Sequence, residues 1–177
     1  MSLKAAMWVP GTAARVEYPE RLTWRPPLPA PVGFPPNPPL REIAINGATI
    51  FFSQQNQSGA VNSNWFHFPI STPVLLDDMR VQLLQVFVLY KTQVSRITSL
   101  HVWDGPNLIM EENNLNRDGD HLAAIDQSNT FPFNSPLTVF WGINISVQVE
   151  FLPESPTQPM FRSLVVFSTA GADFVTP

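Results

Sequence analysis

The chain contains no cysteine and few charged residues for its size. Of its 177 residues, 14% are charged, and the formal net charge is −4 at pH 7; average chains carry about a quarter of charged residues. Without cysteine there are no disulfides, iron–sulfur clusters, thiolate zinc sites or cysteine nucleophiles. The sequence therefore offers few groups for catalysis, and the lack of cysteine does not identify a cellular compartment.

Long apolar runs and basic clusters are also missing. No apolar run reaches the ~20 residues of a membrane helix, and the N-terminal MSLKAAMWVPG lacks the apolar stretch of a signal peptide. The only lysines are Lys4 and Lys91, so no basic stripe can neutralise nucleic-acid phosphates. We therefore expect a soluble chain with neither a membrane nor a nucleic-acid partner, of unknown compartment.

Proline, by contrast, is abundant and concentrated. Residues 26–39, PPLPAPVGFPPNPP, hold eight of the 19 prolines, which excludes a helix there and favours extended polyproline II. We interpret residues 1–25 as N-terminal edge strands, residues 26–39 as a Pro-rich arm or insertion, and residues 40–177 as the body of one domain. The arm is an ordered strap, a linker or a PxxP recognition peptide, and the embedded Val32 and Phe34 favour the strap.

Apolar stretches in the rest of the chain follow the two-residue period of strands and are separated by turns rich in Asn, Gly, Pro and Asp. The predicted strands are Ala48–Ser53, Asn64–Pro69, Arg80–Thr92, Ile97–Trp103, Asn107–Glu111, Thr138–Phe151 and Arg162–Thr169. Trp8–Val9 and Arg15–Tyr18 add two short edge strands. The pattern predicts an all-β fold, a single antiparallel β-sandwich that is jelly-roll-like.

Two of the predicted strands differ in the number of faces that require cover. Residues 143–151 alternate between apolar and polar side chains, which is typical of a strand with one buried and one wet face. Residues 80–92 are apolar on both sides. This second strand is either central and covered on both faces, or its second face is an interface with the arm or with a neighbouring subunit.

The segment Asn113–His121 places oxygen-bearing side chains at alternating positions before a glycine, a spacing similar to an EF-hand-type calcium loop. The candidate Ca²⁺ ligands are Asn114, Asn116, Asp118 and Asp120. The match is incomplete, because Asn stands at the first position and Ile125 at the twelfth, where a bidentate Glu belongs. We favour an acidic turn between two strands and expect no cofactor.

The three histidines, His67, His101 and His121, lie far apart in the sequence. Zinc or a catalytic triad would require their assembly in space with a carboxylate such as Asp104. Neither HExxH nor GxSxG occurs, so the sequence predicts no catalytic residue. The pair Asp77-Asp78 precedes the long strand 80–92, and we favour backbone capping over cation binding for it.

Aromatic residues are the most suggestive feature, because five tryptophans accompany 13 phenylalanines. Rings exposed on sugar-binding sandwiches stack on pyranose faces, although most aromatic residues of a sandwich belong to its core. Trp65 and Trp103 adjoin turns and are candidates for exposure, whereas the apolar context of Trp141 predicts burial. The candidate ligand-contacting residues are Trp65, His67, His101, Trp103, Asp104 and His121.

Seven segments carry a resemblance that covers most of the chain. They are MWVPGTAARVEYPERL, SNWFHFPISTPVLLDDMRVQL, VFVLYKT, HVWDGP, the GDH of residues 119–121, FWGINISVQVEF and TAGADF. Together they resemble an uncharacterised family of small bacterial β-sandwich domains, with the Pro-rich segment as an insertion. The resemblance implies the fold and a bacterial origin, and it implies no activity and no functional residue.

These observations predict a non-enzymatic β-sandwich module that acts by binding or assembly. We expect a homo-oligomer with the arm or the strand 80–92 at its interface. The alternative is a jelly-roll-type enzyme acting on a sugar or small metabolite, or a carbohydrate-binding domain, that uses the His and Asp residues of the region 101–126. The partners considered are therefore a second copy of the chain, a carbohydrate and a small molecule.

Overall fold

The computed structural model describes residues 3–22, 42–45, 47–53, 61–153 and 163–177. Within these ranges the chain forms β-strands and two short 3₁₀ helices, without an α-helix, so the all-β prediction is confirmed. No helix of these ranges is long and apolar enough to cross a bilayer. The predicted Pro-rich arm, residues 26–39, lies outside the described residues.

The described strands form two packed antiparallel sheets, A and B, and one small hairpin. Sheet A contains β1 Leu3–Pro10, β3 Glu42–Ile45, β4 Ala48–Phe52, β8 Gln82–Gln93, β11 Thr130–Thr138 and β13 Leu164–Val175. Sheet B contains β2 Arg15–Val16, β5 Asn62–Pro69, β9 Ser95–Asp104, β10 Asn107–Glu112 and β12 Ile143–Phe151. The hairpin consists of β6 Leu75–Leu76 and β7 Met79–Arg80.

The order of the long strands is that of a jelly roll. Sheet A runs β11-β8-β13-β4-β3, with β1 paired to the C-terminal half of β13, and sheet B runs β10-β9-β12-β5-β2. From β4 to β13 the consecutive strands of the two sheets alternate between the sheets, except for the β9–β10 hairpin. This is the connectivity of a double Greek-key sandwich. The jelly-roll prediction is confirmed, and β1 and β2 each pair with one strand, as expected of edges.

The core lies between the sheets and is filled by alternate residues of the central strands. Ile145, Val147 and Val149 of β12 are fully buried, and Phe66 of β5 packs on Phe167 of β13 with ring centroids 5.1 Å apart. Because successive side chains of a strand point to opposite faces, this burial places the polar residues of β12 on the outer face of sheet B. The predicted alternation therefore fixes which side of β12 meets solvent.

Strand β8 is central in sheet A, between β11 and β13. Its outward Phe87 is buried, because Trp8 of β1 reaches across Gly171 of β13 and stacks on the Phe87 ring at 5.1 Å between centroids. A Cβ at Gly171 would lie 2.4 Å from the Trp8 ring. The chain itself thus covers the second apolar face of β8 at Phe87, which favours the first of the two explanations offered for this strand.

The predicted strand Thr138–Phe151 is interrupted in the structure. Strand β11 ends at Thr138, residues 139–142 turn, and β12 begins at Ile143. Strand β11 pairs with β8 although Pro132 opposes Gln85, because β11 is an edge strand, where a missing N–H is tolerated. Pro136 lies in the register shift between Pro132 and Leu137. Trp141 lies in the turn and is exposed. The prediction that it is buried is wrong, since it assumed an unbroken strand.

Candidate functional site

A row of side chains crosses the outer face of sheet B. Ser146 of β12 pairs with His67 of β5 on one side and with His101 of β9 on the other. The same register places Arg15 of β2 beyond His67, and Glu111 of β10 beyond His101. Because paired residues of neighbouring strands share a face, two histidines that are far apart in the sequence lie on opposite sides of one serine.

Hydrogen bonds join the first half of this row. Asn144 Nδ2 donates to Ser146 Oγ over 3.0 Å, and Ser146 Oγ lies 2.9 Å from His67 Nδ1. His67 Nε2 lies 3.5 Å from Glu17 Oε2, just after β2. A proton on Nε2 facing this carboxylate leaves Nδ1 to accept the serine hydroxyl. The order hydroxyl, imidazole, carboxylate is also that of a hydrolase triad.

The serine of this network is covered. Trp65 of β5 pairs with Gln148 of β12, yet its ring contacts His101 on the far side of β12, with ring centroids 4.7 Å apart. The indole therefore crosses β12 beside Ser146, which is only 3% exposed. A nucleophile must reach the substrate carbonyl, so the arrangement is suited to fixing His67 and Trp65 in place rather than to attack by Ser146.

A groove of about 650 Å³ lies beside β12 on the outer face of sheet B, between residues of β9 and β12 and the segment 113–116. Its floor includes Ser99, Gln148 and Glu150, and its wall is the chain at residues 113–116. Gln148 Oε1 accepts from the hydroxyls of Thr98 and Ser99, both over 3.1 Å. With its oxygen occupied in this way, Gln148 offers the groove its amide donors.

The charged groups around the groove are paired. The Arg96 guanidinium binds the Glu150 carboxylate and donates from Nη1 to Asn116 Oδ1 over 3.1 Å. At the other rim, Asn113 Nδ2 donates to Glu111 Oε1 over 2.7 Å. The groove therefore combines neutral donors and acceptors with internally balanced charge, and Gln148 of its floor pairs with Trp65 of β5.

A family model matches residues 37–174 of the chain. The chain belongs to DUF6623, a family of unknown function. The match includes the groove and the four longer strands of sheet B, whereas Arg15 and Glu17 precede it. The predicted resemblance to an uncharacterised domain family is confirmed, and the bacterial origin and the Pro-rich insertion stay predictions. No curated protein and no solved structure matches the chain.

In this DUF6623 member, the predicted calcium-loop residues contact the protein's own cations. Asn116 binds Arg96 of sheet B, and Asp120 accepts from Lys91 Nζ of sheet A over 2.7 Å. The hydrogen bond from Lys91 lowers the pKa of Asp120. Among the described residues, no group of three or more His, Cys, Asp or Glu side chains could hold a metal ion. Two of the four predicted ligand positions are thus occupied by ion pairs or hydrogen bonds.

His121 lies away from the sheet B face, in the loop between β10 and β11. Its Nδ1 is 2.9 Å from Asp126 Oδ2, its Nε2 is 3.0 Å from the Asp118 carbonyl, and its ring packs on Tyr90 of β8. The hydrogen bond with Asp126 raises the pKa of His121 and lowers the pKa of Asp126. Burial raises the pKa of Tyr90 to about 12. This cluster holds the loop onto sheet A.

Asp104, the remaining candidate, is buried at the end of β9. Its two carboxylate oxygens accept the backbone N–H groups of residues 140, 141 and 142 over 2.7 to 3.0 Å. Four of the six predicted ligand-contacting residues therefore share the outer face of sheet B, namely Trp65, His67, His101 and Trp103. Asp104 and His121 lie elsewhere and have structural partners.

The sequence pattern missed the polar half of the site. Asn144, Ser146 and Gln148 carry the network and the groove floor, and their alternation with buried residues was visible. The residue pattern within one strand does not show which strands lie next to it in the sheet. His67 is 79 residues from Ser146, and such a pairing leaves no local signal. The sequence predicts that Asn113 belongs to an acidic turn, and the structure places it at the groove wall.

Proposed function

We propose that the protein is a non-enzymatic binding module and that the outer face of sheet B binds a hydroxyl-rich, uncharged ligand, a carbohydrate. One observation carries the proposal: an open groove is lined by uncharged hydrogen-bonding side chains, and Gln148 of its floor pairs across the strands with Trp65. A sugar ring has one apolar face and a rim of hydroxyls, so it needs both kinds of contact. Trp65, the cross-strand neighbour of Gln148, supplies the apolar surface, and Gln148 and Asn113 line the groove with amide groups.

The electrostatics of the groove favour an uncharged ligand. Arg96 and Glu150 form an ion pair at its floor, and Glu111 is engaged by Asn113. A charged ligand would have to compete with these pairs, and breaking a partly buried pair leaves one charge without its partner. Neutral hydroxyls add to the existing hydrogen bonds without disturbing them.

The same contacts favour binding over catalysis at this face. Ser146 is hydrogen-bonded to Asn144 and His67 and is buried, and His67 is directed to Ser146 and Glu17. Each of these side chains is held in one orientation by its neighbours, which lowers the entropy cost of ordering a binding surface. This rigidity supports a preformed face for the ligand.

The experiment is a screen of neutral oligosaccharides by tryptophan fluorescence, followed by calorimetry on the hits. Trp65→Ala and Gln148→Ala should each weaken binding roughly tenfold, because they remove a ring contact and an amide donor. Trp141→Ala is the matched control, since it removes an equally large ring from the end of the sandwich and should leave the affinity unchanged. A panel without a hit, or equal losses in Trp65→Ala and the control, would contradict the proposal.

A further inference from the structure

One end of the sandwich exposes four large apolar side chains. Trp141 is 67% exposed and Phe140 54% exposed in the turn between β11 and β12, and Leu75 is 56% and Met79 43% exposed in the β6–β7 hairpin. Isolated apolar residues on a surface are ordinary, but a contiguous group marks an interaction site. We call these four residues the apolar end.

The hairpin and the turn form one continuous surface. Leu75 pairs with Arg80 across the hairpin. The Arg80 guanidinium lies 5.0 Å from the centre of the Phe140 ring, and its Nη1 donates to the Phe140 carbonyl over 3.4 Å. Arg80 thus connects the exposed side chains of the hairpin to those of the turn.

The exposed rings are held rigidly. The Asp104 carboxylate accepts the backbone N–H groups of Phe140, Trp141 and Gly142. Trp141 lies over Gly105, where an added Cβ would be 2.8 Å from the Trp141 Cβ. Since backbone capping and close packing fix this turn, little conformational entropy is lost when the rings enter an interface.

We infer that two copies of the chain associate through the apolar end about a twofold axis. The charges beside it are self-complementary: Asp77 and Asp78 form the hairpin tip, and Arg80 follows them. In a twofold interface each partner presents the same patch, so Arg80 of either copy meets the aspartates of the other. The two carboxylates disfavour an anionic lipid surface as the occupant. This self-association is independent of the proposed carbohydrate binding.

The exposed area sets the strength of the dimer. The four side chains expose on the order of 400 Å², and a standard interface buries ~800 Å² per partner. The polar rim must supply the rest, so the dimer is weak.

Sedimentation equilibrium of the full chain tests the inference. The double variant Phe140→Ser, Trp141→Ser should raise the dissociation constant roughly tenfold or more. Ile125→Ser is the matched control, because Ile125 is 54% exposed in the loop between β10 and β11, and its replacement should leave the constant unchanged. A chain that stays monomeric at ~1 mM, or equal effects of the variant and the control, would overturn the inference.

A charge exchange tests the twofold geometry. In a homodimer of Arg80→Glu, the new glutamate would face the aspartates of the other copy. In a homodimer of the double variant Asp77→Lys, Asp78→Lys, the new lysines would face Arg80. Each variant alone should therefore be monomeric. Their mixture restores both charge contacts and should dimerise as a heterodimer. Absence of the heterodimer would overturn the inference. Binding of the wild-type chain to neutral lipid vesicles, without self-association, would also overturn it, because the apolar end would then contact a membrane surface.

Discussion

The two outer faces of the sandwich are used in different ways. On sheet A, Trp8 lies over Gly171 and stacks on Phe87, so an edge strand covers a central strand with apolar surface. On sheet B, the corresponding face has histidines, amides and hydroxyls in hydrogen-bonded rows, with a groove beside them. The outer face of sheet A thus buries apolar surface, whereas the outer face of sheet B presents a polar one, which is where we propose that the ligand binds.

The largest effect on stability is expected from a substitution that disrupts the packing on the outer face of sheet A. Gly171→Ala places a Cβ 2.4 Å from the Trp8 ring, so the indole must leave Phe87. We expect a loss of ~2 to 3 kcal/mol in the free energy of unfolding, which is typical of forced repacking, measured by urea denaturation. Carbohydrate binding on sheet B should persist in the folded variant.

Gly142→Ala is the control for this prediction. Nothing lies within 4 Å of a Cβ added at Gly142, so the same chemical change should alter the free energy of unfolding by less than ~0.5 kcal/mol. Equal stability of the wild type and Gly171→Ala would show that the stacking of Trp8 on Phe87 does not stabilise sheet A.

A smaller effect is expected on the sheet B face. Ser146→Ala removes the hydroxyl between Asn144 and His67 and should cost ~1 kcal/mol of stability, the typical net contribution of a hydrogen bond. Ligand affinity should fall at the same time, because His67 loses its fixed orientation. The exposed Ser71 offers a control, since Ser71→Ala should change neither quantity. A destabilisation as large as that of Gly171→Ala would contradict the contrast between the faces.

The sequence predicts that β12 has one buried face and that β8 is apolar on both faces, because both patterns lie within a single strand. Alternation in residues 143–151 and apolar character on both sides of 80–92 are properties of single strands, and both agree with the burial in the structure. Trp8 of β1 covers the outer face of β8 at Phe87, and His67 of β5 is the hydrogen-bond partner of Ser146. These pairings depend on register between distant segments, which single-strand periodicity does not contain.

The error at Trp141 has a related cause. Thr138–Phe151 reads as one apolar run, but the Asp104 carboxylate captures three consecutive backbone N–H groups there and turns the chain. The capping group lies more than thirty residues before the turn. Sequence periodicity within the run could not reveal it, and the exposed apolar end was missed for that reason.

The smallest expected effect concerns the loop that joins the two faces. Residues 113–129 contact β9 through Arg117 and β8 through Asp120, and His121 holds the loop through Asp126 and the Asp118 carbonyl. Both His121 nitrogens face acceptors, so the protonated ring satisfies both bonds. Asp120 is a further charged neighbour of His121, and it is paired with Lys91. The Tyr90 ring packs on the His121 ring.

The sign of the pH dependence follows from the raised pKa of His121, whose ordinary value is 6.5. A raised pKa in the folded state stabilises the fold fully below the unfolded pKa, and this stabilisation is lost as the pH rises through the folded pKa. The lowered pKa of Asp126 sets the acid limit. Wild type should therefore exceed His121→Gln in stability near pH 5 to 6, by a small margin because so accessible a pair is screened by solvent. The difference should vanish at alkaline pH. Denaturation curves across this range measure it, and Asp126→Asn should remove the dependence. A difference that grows with pH would show that His121 holds the loop as the neutral ring.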